Sequence, residues 1–271
     1  MNVAEFHKKI DLIFIKVGNL FDLRDAVVLE LRLIGSTISG EFHLASGGQR
    51  PKWKCDGRLT LRNTAVGFLH DEPAAWPPHL NLDKFTYEGF GGPGANAATD
   101  VAIRGSKWFE QWLARAEPYT PQPYQQCAKV LREMGHPEVA TDVLYAGRER
   151  ERREAFRTGN NPHATGLTLL KWVIGYGYGS RLLWRPLGWV AAFTAVGTAA
   201  LYIAGMPNEL AGSAVAPAFF SFDLLLPIIQ LHEPHYQIVL EGAAKYYFAI
   251  HKLMGYVLAS FLIAGLAGLT K

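Results

Sequence analysis

From Leu187 to Met206 this chain runs twenty residues without a charged side chain, and from Leu253 to Thr270 it runs a further eighteen. At about 1.5 Å of rise per residue, twenty helical residues span about 30 Å, the thickness of one bilayer core. A helix buried in a soluble protein usually keeps a polar face, and neither run patterns one. The sequence therefore predicts two membrane helices, and the rest of the chain has to be arranged around them. Tyr246-Tyr247-Phe248-Ala249-Ile250 extends the second run with further apolar residues.

Charge sets the expected orientation. Across the 271 residues, 27 Lys and Arg stand against 24 Asp and Glu, a net charge of +3, which argues against a basic nucleic-acid binder. The distribution is less even. Residues 141–186 hold eight basic residues against four acids, among them Arg152, Arg153, Arg157, Arg181 and Arg185. Between the apolar runs Glu209, Asp223, Glu233 and Glu241 outweigh Lys245 and Lys252. Positive charge beside membrane helices stays cytoplasmic, so the expected topology keeps the N-terminal part and the C-terminus inside a bacterial inner membrane. Those five arginines are then topology determinants that face lipid headgroups and solvent. Lys8 and Lys9 precede a short apolar stretch, but Asp11 and Lys16 interrupt it, so no secretory signal is expected.

The first ninety residues repeat a short pattern. Phe21-Asp22-Leu23, Leu31-Arg32-Leu33, Phe42-His43-Leu44, Leu59-Thr60-Leu61 and Leu80-Asn81-Leu82 each alternate apolar, polar, apolar. Five residues beyond the second apolar position lie Val28, Ile38, Val66 and Tyr87; three beyond it lie Ala26, Ser36, Thr64 and Phe85. Alternation followed by a turn, at spacings of about 10 or about 20 residues, predicts stacked coils of a small β-solenoid. Residues 46–54 look like a loop inserted between coils. So few coils need something to pack against. Asp71 and the neighbouring His70, Glu72 and His79 lie beside Trp76-Pro77-Pro78 in what reads as a capping loop.

Gly89-Phe90-Gly91-Gly92-Pro93-Gly94 fits G-x-G-x-x-G, but Pro93 lies inside it and no parallel βαβ unit follows, so residues 93–104 read as a linker. Beyond it Trp108, Phe109, Trp112 and Leu113 share a helical face. Two further helices meet at Gly135-His136-Pro137. Tyr124, Cys127, Ala128 and Leu131 face Ala140, Val143, Leu144 and Gly147 across that turn. This spacing resembles one tetratricopeptide unit, which implies either a brace for the solenoid or a docking surface carried by Tyr124, Leu131 and Leu144. Cys55 and Cys127 lie 72 positions apart with no ligand cluster around either, so no disulfide, metal or cofactor is expected.

Between the membrane runs, residues 217–231 are too short to span and too apolar for a free loop, which suggests a re-entrant or interfacial helix ending near Pro227. Helix, short helix, helix resembles the pore module of two-helix cation channels. Phe220-Ser221-Phe222, Glu241-Gly242 and Gly255-Tyr256-Val257-Leu258 carry that likeness. Where a potassium filter would stand, the chain reads Pro227-Ile228-Ile229-Gln230-Leu231, so potassium selectivity is not implied. Gly175-Tyr176-Gly177-Tyr178-Gly179 lies before the first membrane helix and reads as a glycine hinge. Ionisable groups at membrane depth are expensive and mark candidate sites. On that ground Asp223, Gln230, His232, Glu233, His251 and Lys252 are the candidate pore or membrane-interface residues.

The chain also resembles a family of uncharacterised bacterial membrane proteins with an N-terminal β-solenoid, a helical hairpin and two C-terminal membrane helices. Leu61-Arg62-Asn63-Thr64, Leu82-Asp83-Lys84-Phe85-Thr86-Tyr87, Gln122-Pro123-Tyr124 and His251-Lys252-Leu253-Met254-Gly255 carry the resemblance. Some members are labelled membrane-associated oxidoreductase, but this chain has no cysteine pair, flavin or nicotinamide motif. The expected layout is a solenoid over residues 1–92, a linker over 93–104, a hairpin with a basic juxtamembrane segment over 105–180, and a membrane domain over 181–271. The expected function is a non-enzymatic scaffold head on a membrane anchor. Its partners are lipids, a second copy of itself and a cytoplasmic protein, and no nucleic acid. The alternative is an oligomeric pore.

Overall fold

The computed structural model describes residues 5–91, 97–226 and 229–269. It divides into two compact units, Met1–Ala164 and Thr165–Lys271.

The first unit begins as the predicted solenoid. Strands β1 (Glu5–Ile13), β4 (Val27–Ile34), β6 (Lys52–Thr60) and β8 (His79–Asn81) form one sheet. Strands β2 (Lys16–Val17), β5 (Thr37–His43), β7 (Ala65–His70) and β9 (Thr86–Phe90) form the other, and β3 (Leu20–Asp22) also pairs with β5. Neighbours within each sheet run parallel. Each turn of the chain gives one strand to each sheet, so the apolar member of every repeat stacks on its counterpart. Leu31, Leu59 and Leu80 are in register on one sheet, and Phe42, Leu69 and Phe90 on the other. All six are buried. The small residues three positions on sit at the corners. There Thr64 Oγ1 donates to the Leu33 carbonyl at 2.8 Å, closing a bend whose neighbour Asn63 has φ of 53°. Gly67 is required by a close approach: a Cβ there would stand 2.5 Å from the Gly40 carbonyl oxygen of the adjacent coil. The inserted segment is shorter than expected. Lys52–Lys54 already pair in β6, and the excess is absorbed by a register shift between Val28 and Glu30.

The linker expectation is corrected. Residues 92–96 lie outside the described residues, and α1 (Ala97–Ala114) is helical from Ala97, with a bend at Gly105 where φ is 64°. The physical reason is a buried ion pair. Arg104 Nη1 lies 2.9 and 3.0 Å from the two Asp71 carboxylate oxygens, and Nη2 donates to the Asp71 carbonyl at 2.8 Å. Trp76 Nε1 donates to the same carboxylate at 2.6 Å. The proline-rich loop thus caps the solenoid and binds the helix to it.

Helices α2 (Gln122–Glu133) and α3 (Pro137–Arg157) form the hairpin, turning through Gly135 at φ of 87°. The hairpin closes the solenoid: Gln122 and Gln126 donate side-chain amides to the Phe85 and Tyr87 carbonyls of the last coil, at 3.0 and 2.7 Å. A sheet edge covered this way cannot template further pairing. Tyr124 and Leu131 lie in the same core as the solenoid leucines and Leu144 packs half-buried against it, so the docking face expected of these three is corrected. The two fully buried side chains are consumed by bracing.

In the second unit α4 (Asn161–Ile174) leads through a glycine-rich turn into α5 (Arg181–Ala204), α6 (Ala216–Leu225) and α7 (Gly242–Leu269). The turn holds Gly175, Tyr176, Gly177 and Gly179 all at positive φ, which accounts for its glycines. Helices α5 and α7 are long and apolar enough to cross a membrane.

Candidate functional site

The site grows from α6, which packs on both α5 and α7. Ten helical residues reach about 15 Å, half of a bilayer core of about 30 Å. Two glycines permit the packing. Gly197 of α5 lies against the Ser221 hydroxyl, and Gly255 of α7 lies against the Leu225 carbonyl at the end of α6. A Cβ at either position would fall inside the contact radius of its neighbour. His251 of α7, 1% exposed, completes the contact with Nε2 2.9 Å from the Ser221 carbonyl oxygen, and the Tyr247 hydroxyl stands 3.3 Å from His251 Nδ1.

Asp223 is the centre of the arrangement and has no exposed surface. Its carboxylate accepts the backbone N–H groups of Leu231 at 2.8 Å and His232 at 3.2 Å, and meets His235 Nδ1 at 2.8 Å. Tyr236 donates its hydroxyl to the Asp223 carbonyl at 3.1 Å. A carboxylate held by two backbone N–H groups and an imidazole organises the segment after α6. It is the device by which a buried acid is tolerated. The His235 ring is flanked by Phe219 and Phe220, with centroids 5.1 and 5.3 Å away.

Beside this network opens a cleft of about 630 Å³, lined by Glu209, Phe219, His232, His235 and Gln237 among others. Gln230, His232 and Glu233 are exposed near it, and Lys252 is exposed with its ammonium 5.4 Å from the Tyr236 ring centre. The six candidates therefore separate into two groups. Asp223 and His251 are buried and hold α6 in place, whereas Gln230, His232, Glu233 and Lys252 remain on the surface. Tyr236 and Ser221 belong to the site and were not among the sequence candidates, whereas His235, one of the ionisable groups the sequence places nearest the apolar runs, is the imidazole that meets Asp223. The motif His232-Glu233-Pro234-His235 held the signal, since its position twelve residues after Asp223 lets a short loop fold back.

The basic candidates also divide. Arg185 donates to the Lys171 carbonyl and, at 3.2 Å, to the Trp172 carbonyl, capping the C-terminal end of α4. Arg152 pairs with Glu149 at 3.1 Å and Arg157 with Glu154, each one helical turn apart. Arg153 is exposed and Arg181 half-buried. No family model, curated protein or solved structure matches the chain.

Proposed function

We propose that this chain is a membrane-anchored interaction protein, with helices α5 and α7 crossing the bilayer and the solenoid–hairpin unit as its working head. The supporting observation is how little of the two apolar helices is covered. Only 11% of the apolar window of α5 and 22% of that of α7 is buried within the chain. Ile203 is 87% exposed, Leu253 63% and Ile263 59%. Burying such surface is worth roughly 25 cal/mol per Å², so lipid rather than water is its natural solvent. The excess of basic residues over 141–186 supports a head on the cytoplasmic side of a bacterial inner membrane, and lipids and a cytoplasmic protein are the partners this reading implies. The likeness to solenoid-bearing bacterial membrane proteins agrees with that layout.

The test is extraction. Isolated membranes washed with alkaline carbonate should retain the full chain, while residues 1–164 made alone should be soluble and unfold cooperatively. Release of the full chain by carbonate would overturn the proposal.

A second reading, an oligomeric pore, is favoured by one observation: α6 is too short to span and is wedged between two helices that can. Its polar lining would come from Gln230, His232 and Glu233, since Asp223 is turned inward. A tetramer or larger assembly in mild detergent, conducting ions in planar bilayers, would establish it. A monomer or dimer would remove it.

A further inference from the structure

The parallel register of the solenoid places Asp22, His43 and His70 at equivalent positions of three successive coils. Strands in a sheet lie about 4.8 Å apart, so side chains at equivalent positions stack. The His43 and His70 rings do so, with centroids 4.1 Å apart. Glu41 lies two residues before His43 and shares its face. Its Oε2 is 2.7 Å from His43 Nε2 and 3.5 Å from His70 Nε2. Asp22 is already engaged by Arg24, whose Nη2 stands 2.6 Å from its carboxylate.

One ligand atom from each of Glu41, His43 and His70 falls within 4.8 Å of the other two. His70 Nε2, the atom that faces Glu41, is buried and has no hydrogen-bond partner among the described residues. Buried polar atoms without partners are uncommon in folded proteins, and a bound ion or water is the usual explanation. As placed, the Glu41 carboxylate bonds His43 and leaves His70 Nε2 without a hydrogen bond.

We propose that Glu41, His43 and His70 form a binding site for a divalent transition-metal ion of zinc's class, with a further position open to water. Two nitrogen donors and one carboxylate suit zinc and its neighbours rather than calcium or magnesium. Metal bonds of about 2.0–2.2 Å put tetrahedral donors about 3.3 Å apart, close to the Glu41–His70 separation. The Glu41–His43 contact opens by about 0.6 Å as the ion replaces the proton between them, and His43 ligates as the neutral tautomer with its proton on Nδ1. The side chains of His43 and His70 are 13% and 17% exposed and that of Glu41 37%, so an ion can reach the site from solvent.

The experiment uses the full chain in mild detergent, without a histidine tag, stripped with EDTA and titrated with cobalt(II). A one-to-one visible ligand-field spectrum, abolished by zinc(II), is expected. His70→Gln and Glu41→Gln, which preserve side-chain size, should each weaken binding at least tenfold. His79→Gln, on an exposed pair with Asp56, should leave it unchanged. Should the variants misfold, zinc protection of His70 against diethylpyrocarbonate in the unaltered chain gives the same answer by peptide mass. No stoichiometric cobalt spectrum, no zinc protection of His70, or full binding by a folded His70→Gln protein would overturn the proposal.

Discussion

Replacing Arg104 by Met tests whether α1 belongs to the head or merely tethers it. The change keeps an unbranched apolar stem but removes two contacts of 2.9 and 3.0 Å to the Asp71 carboxylate and one of 2.8 Å to its carbonyl. It also removes the guanidinium from 4.7 Å above the Trp108 ring. The side chains of Arg104 and Asp71 are only 4% and 1% exposed, so water cannot take over. Asp71 would keep the Trp76 indole N–H and lose its counter-charge. Breaking a buried pair from one side costs about 3–5 kcal/mol, against a total stability of about 5–15 kcal/mol for a domain. For a unit of this size that is a fall in Tm of roughly 6–20 °C. The assay is denaturant unfolding followed by tryptophan fluorescence, since Trp76, Trp108 and Trp112 surround the pair. A double-mutant cycle with Asp71→Leu should recover at least about 2 kcal/mol of coupling. A loss below about 1 kcal/mol for Arg104→Met would refute the reasoning and return α1 to the status of a linker.

Gly255→Ala should destabilise the second unit in detergent by about 1–3 kcal/mol, because the new methyl group meets the Leu225 carbonyl. Gly188→Ala, where nothing lies within 4 Å, should be neutral or stabilise by up to about 1 kcal/mol, and equal effects at the two sites would sink the packing argument. Burial pushes the Cys127 thiol up to about 12, whereas Cys55 is exposed. Iodoacetamide should therefore label Cys55 in the folded chain and Cys127 only after denaturation, as read by peptide mass. His70 is held below its ordinary value of 6.5, so the unfolded chain binds more protons as the pH falls through that range. Stability of the head should drop below about pH 6.5, and His70→Gln should flatten that slope in metal-free buffer. An unchanged pH profile for the variant would remove His70 as its source.

What was legible in the sequence was periodic. Leu31, Phe42, Leu59 and Leu80 recur with a polar residue between apolar ones, and alternation alone assigns them inward. The uncharged runs were legible for a similar reason: an unbroken apolar stretch of that length forms one long apolar helix, as α5 and α7 are. What stayed hidden depends on pairs far apart in the chain. His43 and His70 are 27 positions apart, and whether they stack depends on how the β6 register shift absorbs its extra residues. Composition made residues 93–104 look like a linker, yet one arginine in that stretch meets an acid from a proline-rich loop.

Among the described residues, the two buried acids show how such distant pairs decide the fold. Asp71 and Asp223 both sit where regular structure stops, and both accept hydrogen bonds from groups that no repeat supplies. In each unit the cost of burying a carboxylate is offset only when one particular irregular segment is in place. For Asp71 that segment is the beginning of α1, and for Asp223 it is the return loop bearing His235. An acid of this kind ties its loop down by several hydrogen bonds at once, and the loop bearing His232 and His235 lines the cleft. Asp223→Asn tests this directly. The amide keeps its carbonyl acceptor but loses one of two equivalent oxygens, so one of the Leu231 and His232 N–H groups loses its acceptor. Faster amide hydrogen exchange at Leu231 and His232, with α5 and α7 unchanged, is the expected result. Exchange that stays slow at both residues would show that the loop is held by something other than the acid.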